Sequence, residues 1–269
     1  MATSFWVVDT FCDDVFRGTP SSVFFVDEFG DEGLLQNVSM EINTPETIFI
    51  RDLHNGNFES MCFTPNSKGL SFGNGLFAAA KIINEKNPDL KEFHIMCGVR
   101  VFAIKITDGG DVTVRFSAIT LEKVPMPLKL PAALNGEIIV SIAKCKNELI
   151  VEIRNPNRLT YLQPNIDTLL RINYKSFIIT ADTHYQTNVE YDFCAKVFAP
   201  KLGVFSDITT PIAHSKLAEY WASRMKKTSL VGLHTSNRRC GKTNIVVNKE
   251  FMYVTGRCEI VTEGEMLAF

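Results

Sequence analysis

The stretch from Phe63 to Glu85 constrains this chain more than any other. Phe63-Thr-Pro65, a short polar turn and Ser71-Phe-Gly-Asn-Gly75 lead into Leu-Phe-Ala-Ala-Ala-Lys-Ile-Ile-Asn-Glu, which reads as strand, glycine-rich turn and helix. Leu76, Phe77, Ala78, Ala79, Ala80, Ile82 and Ile83 leave the helix almost no polar face, which predicts a buried helix. Gly73 and Gly75 fall at its opening amides. Helix-start N–H groups lack intrahelical acceptors and carry the positive end of the dipole, so they suit an anion.

A second copy of the unit follows about half a chain later. Phe198-Ala-Pro200 repeats the Phe-x-Pro, and Lys-Leu-Gly-Val-Phe-Ser-Asp207 and a Thr-rich turn precede a helix running from Pro211 through Arg224. Pro211 suits the first helical position, and Thr209 or Thr210 suits the cap. One supersecondary unit recurring at this spacing predicts an internal duplication.

The remaining pattern is rich in strands. Residues 5–10, 21–27, 46–51 and 58–63 read as strands, with a helical pattern over Gly33–Ile42 that stops before Pro45. His94–Ile106 and Asp111–Phe116 read as a strand pair joined at Asp108-Gly-Gly. Three prolines between Leu121 and Pro131 mark an extended linker, the best domain boundary. Strands near Glu137–Ile142, Leu149–Arg154, Ser176–Ala181 and Tyr191–Phe198 follow, with a short helical piece at Ile166–Arg171. Strands at Asn244–Val247, Met252–Cys258 and Glu259–Thr262 close the chain. The expectation is an α+β protein of two similar β-rich halves, each around a central helix. The first half is residues 1–120, completed by the strand near 258–269, and the second is 121–257.

Composition excludes several classes. A net charge of −2 without long Lys/Arg blocks argues against a nucleic-acid surface. The apolar runs are too short to span a bilayer, and Met1–Asp9 reads as a first strand, not a signal peptide. Seven scattered cysteines with no Cys-x-x-Cys pair, and dispersed histidines, fit reduced thiols in a cytoplasmic protein without a metal site.

Several segments, in this order and spacing, resemble the phenazine-biosynthesis F-like family of isomerases and epimerases almost end to end. They are Val8-Asp-Thr-Phe with Phe16-Arg-Gly-Thr-Pro20, Glu41-Ile-Asn-Thr-Pro-Glu-Thr-Ile-Phe49, and Phe63-Thr-Pro65 leading to Gly73 and Ala78-Ala-Ala80. Phe198–Val204, Asp207, Ala213–Ala222, Asn237-Arg-Arg-Cys-Gly241 and the closing Val-Thr-Glu-Gly-Glu-Met complete the set. The resemblance implies the fold of diaminopimelate epimerase: two pseudo-symmetric β-barrel-like halves, each around a helix, with the active site in the cleft between them. It also implies cofactor-independent proton transfer on a small carboxylate-bearing metabolite, and a homodimer.

Residue by residue, the resemblance makes Glu46, in Asn43-Thr-Pro-Glu-Thr47, the proton-transferring glutamate, and Asp207 its catalytic partner. Burial of Glu46 would raise its pKa toward neutrality. Substrate contacts are implied at Gly18, Thr19, Gly73, Asn74, Gly75, Ile212 and Ala213. Several positions depart from the family pattern: Asn74 stands for its histidine, Pro211 for its helix-start glycine, Ile212 for its substrate-binding serine, Thr19 for its asparagine and Pro45 for the serine before the glutamate. Asparagine cannot shuttle protons near neutral pH, and isoleucine offers no hydroxyl. These losses support an alternative, a binding or scaffold protein that has lost the chemistry. Gly73-Asn74-Gly75 also matches diaminopimelate epimerases, but Phe72 stands where their cysteine base would be, and no cysteine lies between Asp207 and Ala213. A two-thiol mechanism is rejected. His214 falls inside the helical pattern and reads as a packed residue.

Overall fold

The computed structural model describes residues 3–12, 14–69, 73–184, 186, 189–202, 211–235 and 239–267. The chain forms two compact units. One is Met1–Phe116 with Thr210–Ile212 and Tyr253–Phe269, and the other is Ser117–Thr209 with Ala213–Met252.

The first unit opens with β1 (Thr3–Thr10), β2 (Thr19–Phe25), α1 (Glu32–Ile42), β3 (Glu46–Asp52) and β4 (Asn57–Thr64). The two-residue β5 (Ser67–Lys68), α2 (Asn74–Lys86), β6 (Glu92–Cys97), β7 (Arg100–Ile106) and β8 (Val112–Ser117) follow. The second unit holds α3 (Leu130–Ala133), β9 (Ile139–Cys145), β10 (Glu148–Ile153), α4 (Pro156–Tyr161), α5 (Ile166–Leu170), β11 (Ser176–Asp182) and β12 (Phe193–Phe198). It continues with α6 (Pro211–Met225), β13 (Ser229–His234) and β14 (Gly241–Val247). The chain ends with β15 (Phe251–Gly256) and β16 (Cys258–Met266), the latter antiparallel to β1.

The strand pairings repeat. In the first unit β1–β2 is antiparallel, β2–β3 parallel, β3–β4 antiparallel, β4–β6 parallel and β6–β7 antiparallel. In the second, β9–β10, β10–β11, β11–β12, β12–β13 and β13–β14 follow the same alternation. A parallel pair needs a crossover, and each unit places its longest helix in the second one: α2 between β4 and β6, α6 between β12 and β13. The same pairing order with the same helix insertion is the duplication that the Phe-x-Pro repeat predicts.

Helix α2 is buried from Asn74 through Ala80 and again at Ile82 and Ile83, packing against β1, β2, β3 and β16. Each large aliphatic or aromatic side chain so buried contributes roughly 1.5–3 kcal/mol. On the other face of this sheet, Leu35 and Val38 of α1 pack with Phe24, Phe49 and Phe63. Asp31 caps α1 by accepting the Leu34 N–H at 3.2 Å, and Asn43 ends it at φ 55°, two residues before Pro45. In the second unit Phe193 stacks on Trp221 of α6, and the indole N–H donates to Thr180 Oγ1 at 3.0 Å.

One strand expectation changes. The stretch His94–Ile106 is a hairpin, β6 and β7, because Gly98 adopts φ 58° and turns the chain with the exposed Val99. The helical pattern expected over Gly33–Ile42 forms α1, whose 11 residues stand beside the 13 of α2. Cys12, Cys62, Cys97, Cys145, Cys194, Cys240 and Cys258 are free thiols. Among the described residues no helix is long and apolar enough to cross a membrane, and no cluster of His, Cys, Asp and Glu could hold a metal.

Candidate active site

Glu46 is the first residue of β3, in parallel register with Ser21 of β2. The Thr44 hydroxyl fixes this entry, lying 2.9 Å from the Glu46 carbonyl oxygen and 3.0 Å from Ser22 Oγ. The Glu46 side chain is completely buried, and its Oε2 accepts the Gly75 N–H at 2.6 Å. That contact has a local cause. Gly73, the N-cap of α2 at φ 101°, has no side chain to cap the helix, so an acceptor on β3 takes one of the helix-start donors. A carboxylate there also meets the positive end of the helix dipole.

Glycine is required at Gly73, and a side chain at Gly75 would crowd its neighbours. At Gly73 the left-handed φ is strained for other residues, and a Cβ would stand 2.6 Å from Pro211 Cγ. At Gly75 a Cβ would stand 3.3 Å from Glu46 Oε2 and 3.3 Å from Ile48 Cβ. Asn74 between them is the first helical residue and fully buried. The structure thus brings Glu46 together with Gly75, and Gly73 together with Pro211 and Ile212, whose Cγ1 would be 3.5 Å from the same added Cβ. The Gly75 amide, expected among the substrate's donors, is engaged by the protein's own carboxylate.

Thr19 opens β2, and Gly18 immediately precedes it. A Cβ on Gly18 would come within 2.5 Å of Thr10 O, and the Thr10 hydroxyl donates to Thr19 O at 3.0 Å, so both residues close the β1–β2 pair. Ala213, on α6, is 3% exposed. Asp207 lies outside the described residues, as do Ser71, Phe72, Thr209, Thr210 and Asn237 of the expected motifs. Sequence reading did not single out Asp9, a second buried acid of the first unit, because it sits inside an apolar strand. Nearby, burial and then the Asp9 charge push the Cys12 thiol up to about 11, so Cys12 is an unreactive neighbour.

His214 is fully buried in the second unit, with Nδ1 2.5 Å from Thr243 Oγ1. The Thr243 hydroxyl donates to Gly232 O at 3.3 Å, so its oxygen accepts and the His214 proton resides on Nδ1. Burial, followed by the charge of His234, lowers its pKa to about 3. A neutral imidazole locked in a core does not exchange protons with a ligand.

The profile of the family described as phenazine biosynthesis-like protein matches residues 8–264. The chain is 27% identical over 269 residues to an uncharacterized isomerase of Halalkalibacterium halodurans, with 99% of each chain covered. It is 28% identical over 290 residues to the phenazine biosynthesis-like domain-containing protein of Bos taurus, with 100% of each covered. The crystal structure of a PhzF-family phenazine biosynthesis protein from Enterococcus faecalis superposes with a TM-score of 0.89 at 23% identity, covering 99% of both chains. The α+β fold with two pseudo-symmetric halves is that of the PhzF and epimerase folds.

Proposed function

The chain belongs to the phenazine biosynthesis-like protein family of isomerases and epimerases, and we propose that it moves a proton on a small carboxylate-bearing metabolite without a cofactor, with Glu46 as acid and base. The observation that carries this reading is the buried Glu46 carboxylate held by the Gly75 amide at 2.6 Å. A general base must be aimed before the substrate arrives, and one fixed hydrogen bond to a helix start aims it. One carboxylate oxygen engages Gly75, and the carboxylate takes the proton from carbon and returns it to the isomeric position. The amides of Gly73 and Asn74 face the substrate carboxylate and stabilise the developing enolate, with Asp207 orienting the substrate. The active species is a homodimer.

A second reading has its own observation. The Glu46 carboxylate already occupies a helix-start amide, and Asn74 and Ile212 supply neither an imidazole nor a hydroxyl. On that reading the chain binds a ligand or a protein and does no chemistry.

Deuterium incorporation separates the two. The protein is incubated in D₂O with a panel of small amino- and hydroxy-carboxylates, and carbon-bound deuterium is followed by mass spectrometry. Exchange in wild type that vanishes in Glu46→Gln supports proton transfer. Binding of a panel compound by folded protein with no exchange supports the binder.

A further inference from the structure

We propose that the first unit carries a second ligand site, for a small monocarboxylate with a ring-sized apolar body, in the cavity where β4, β5, β6 and β7 meet. The cavity has a volume of about 370 Å³, at the lower end of the 300–1,000 Å³ common for small-molecule sites. Ser60, Cys62, Lys68, Cys97, Arg100 and Phe102 line it, and neither Glu46 nor the Gly73-Asn74-Gly75 triplet does.

The strand register explains why these groups converge. Ser60 of β4 faces Cys97 of β6, and Cys97 faces Arg100 across the two-residue turn at Gly98 and Val99. A guanidinium, a hydroxyl and a thiol therefore stand around one end of a hairpin. The apolar side comes from Phe102, which is partly buried edge-on against Phe116 at 6.0 Å.

The charges favour an anion. Lys68 is held in an ion pair with Glu32, whereas Arg100 is exposed and forms no ion pair among the described residues. Burial pushes the Cys97 thiol up, the Ser60 hydrogen bond lowers it, the Glu46 charge raises it and the Arg100 and Lys68 charges lower it, so both cations reach the cavity wall alongside one buried carboxylate. A guanidinium presents two parallel N–H donors matched to a carboxylate, and an apolar wall beside it selects a ligand with an apolar body. The site is separable by experiment from the proposed isomerase chemistry, because neither Glu46 nor the Gly73-Asn74-Gly75 triplet lines it.

The probe is benzoate, with benzamide as its neutral twin, titrated calorimetrically into the wild-type chain, Glu46→Gln and Arg100→Gln. Arg100 is exposed, so its substitution leaves the fold intact. Benzoate is expected to bind wild type and Glu46→Gln alike, Arg100→Gln at least about tenfold more weakly, and benzamide not measurably. Alkylation of Cys97 by iodoacetamide, followed by peptide mass spectrometry, slows when benzoate is bound. Failure of benzoate to bind at millimolar concentration overturns the proposal. So does equal binding by Arg100→Gln or of benzamide, loss of binding in Glu46→Gln, or an unchanged rate at Cys97.

Discussion

Gly75 supplies Glu46 with both a donor and the space to reach it. Its N–H meets Oε2 at 2.6 Å, and a Cβ at the same residue would lie 3.3 Å from that oxygen. Donor and space can be separated by one methyl group. Gly75 is absent from the positive-φ glycines, so alanine suits its backbone and gains up to about 1 kcal/mol of helix propensity. The crowding falls instead on Glu46 and Ile48. Gly75→Ala is expected to melt within a few degrees of wild type while substrate deuteration falls on the order of 10- to 100-fold. Undiminished deuteration in a folded Gly75→Ala would show that Glu46 placement does not limit the reaction.

The same contact makes Glu46 a structural residue. In Glu46→Gln the side-chain oxygen still accepts from Gly75, so the fold stays near wild-type stability. In Glu46→Ala a buried N–H loses its acceptor, at a cost of about 1–3 kcal/mol. Urea unfolding of the three proteins should place glutamine close to wild type and alanine clearly below it. Equal midpoints for alanine and wild type would mean that water or a neighbour caps Gly75.

Legibility followed the range of the forces. Helix α2 showed in the sequence because an apolar run after two glycines is a local signal, and the helix boundary at Asn43-Thr-Pro45 was equally local. The position of Glu46 at the start of β3 was legible in the same way. Its bond to Gly75 was not, because residues 29 apart in sequence meet only when β3 and α2 pack. β13 escaped because Gly232 interrupts its pattern, and the reason for that glycine, the Phe193 ring lying over it, is tertiary. The break at Gly98 was missed because the apolar residues on both sides continue one strand-like run.

His214 predicts a pH dependence. Its folded pKa is lowered from 6.5 to about 3 by burial and by His234, so below pH 6.5 the unfolded chain binds a proton that the folded chain refuses. Its contribution to stability is therefore full above pH 6.5 and is lost as pH falls toward 3, by at most about 1.4 kcal/mol per pH unit. His214→Phe keeps an aromatic ring beside Phe193, now 5.7 Å from the imidazole, and removes the titration. Urea unfolding between pH 7.5 and 4 should show a flatter slope in His214→Phe than in wild type. Parallel slopes would mean that His214 is protonated in the fold.

In each unit an aromatic ring fills the space over a strand glycine and then touches the central helix. Phe11 covers Gly256 and meets Phe77 of α2 with centroids 4.5 Å apart. Phe193 covers Gly232 and meets both His214 and Trp221 of α6. A Cβ on Gly256 would lie 2.3 Å from Phe11 Cδ1, and one on Gly232 would lie 2.5 Å from Phe193 Cζ. Both rings are almost completely buried, so neither can swing into solvent, and the displaced ring must push on its helix. Overpacking of this kind costs about 1–3 kcal/mol. Gly256→Ala bears on α2, whose first turn holds Glu46, so it should lower both the melting temperature and the deuteration rate. Gly232→Ala presses on a histidine that exchanges no proton, so it should lower the melting temperature and leave the chemistry at Glu46 less affected. Calorimetry and deuterium exchange on the two variants test this, and equal losses of rate at equal losses of stability would remove the distinction between the helices.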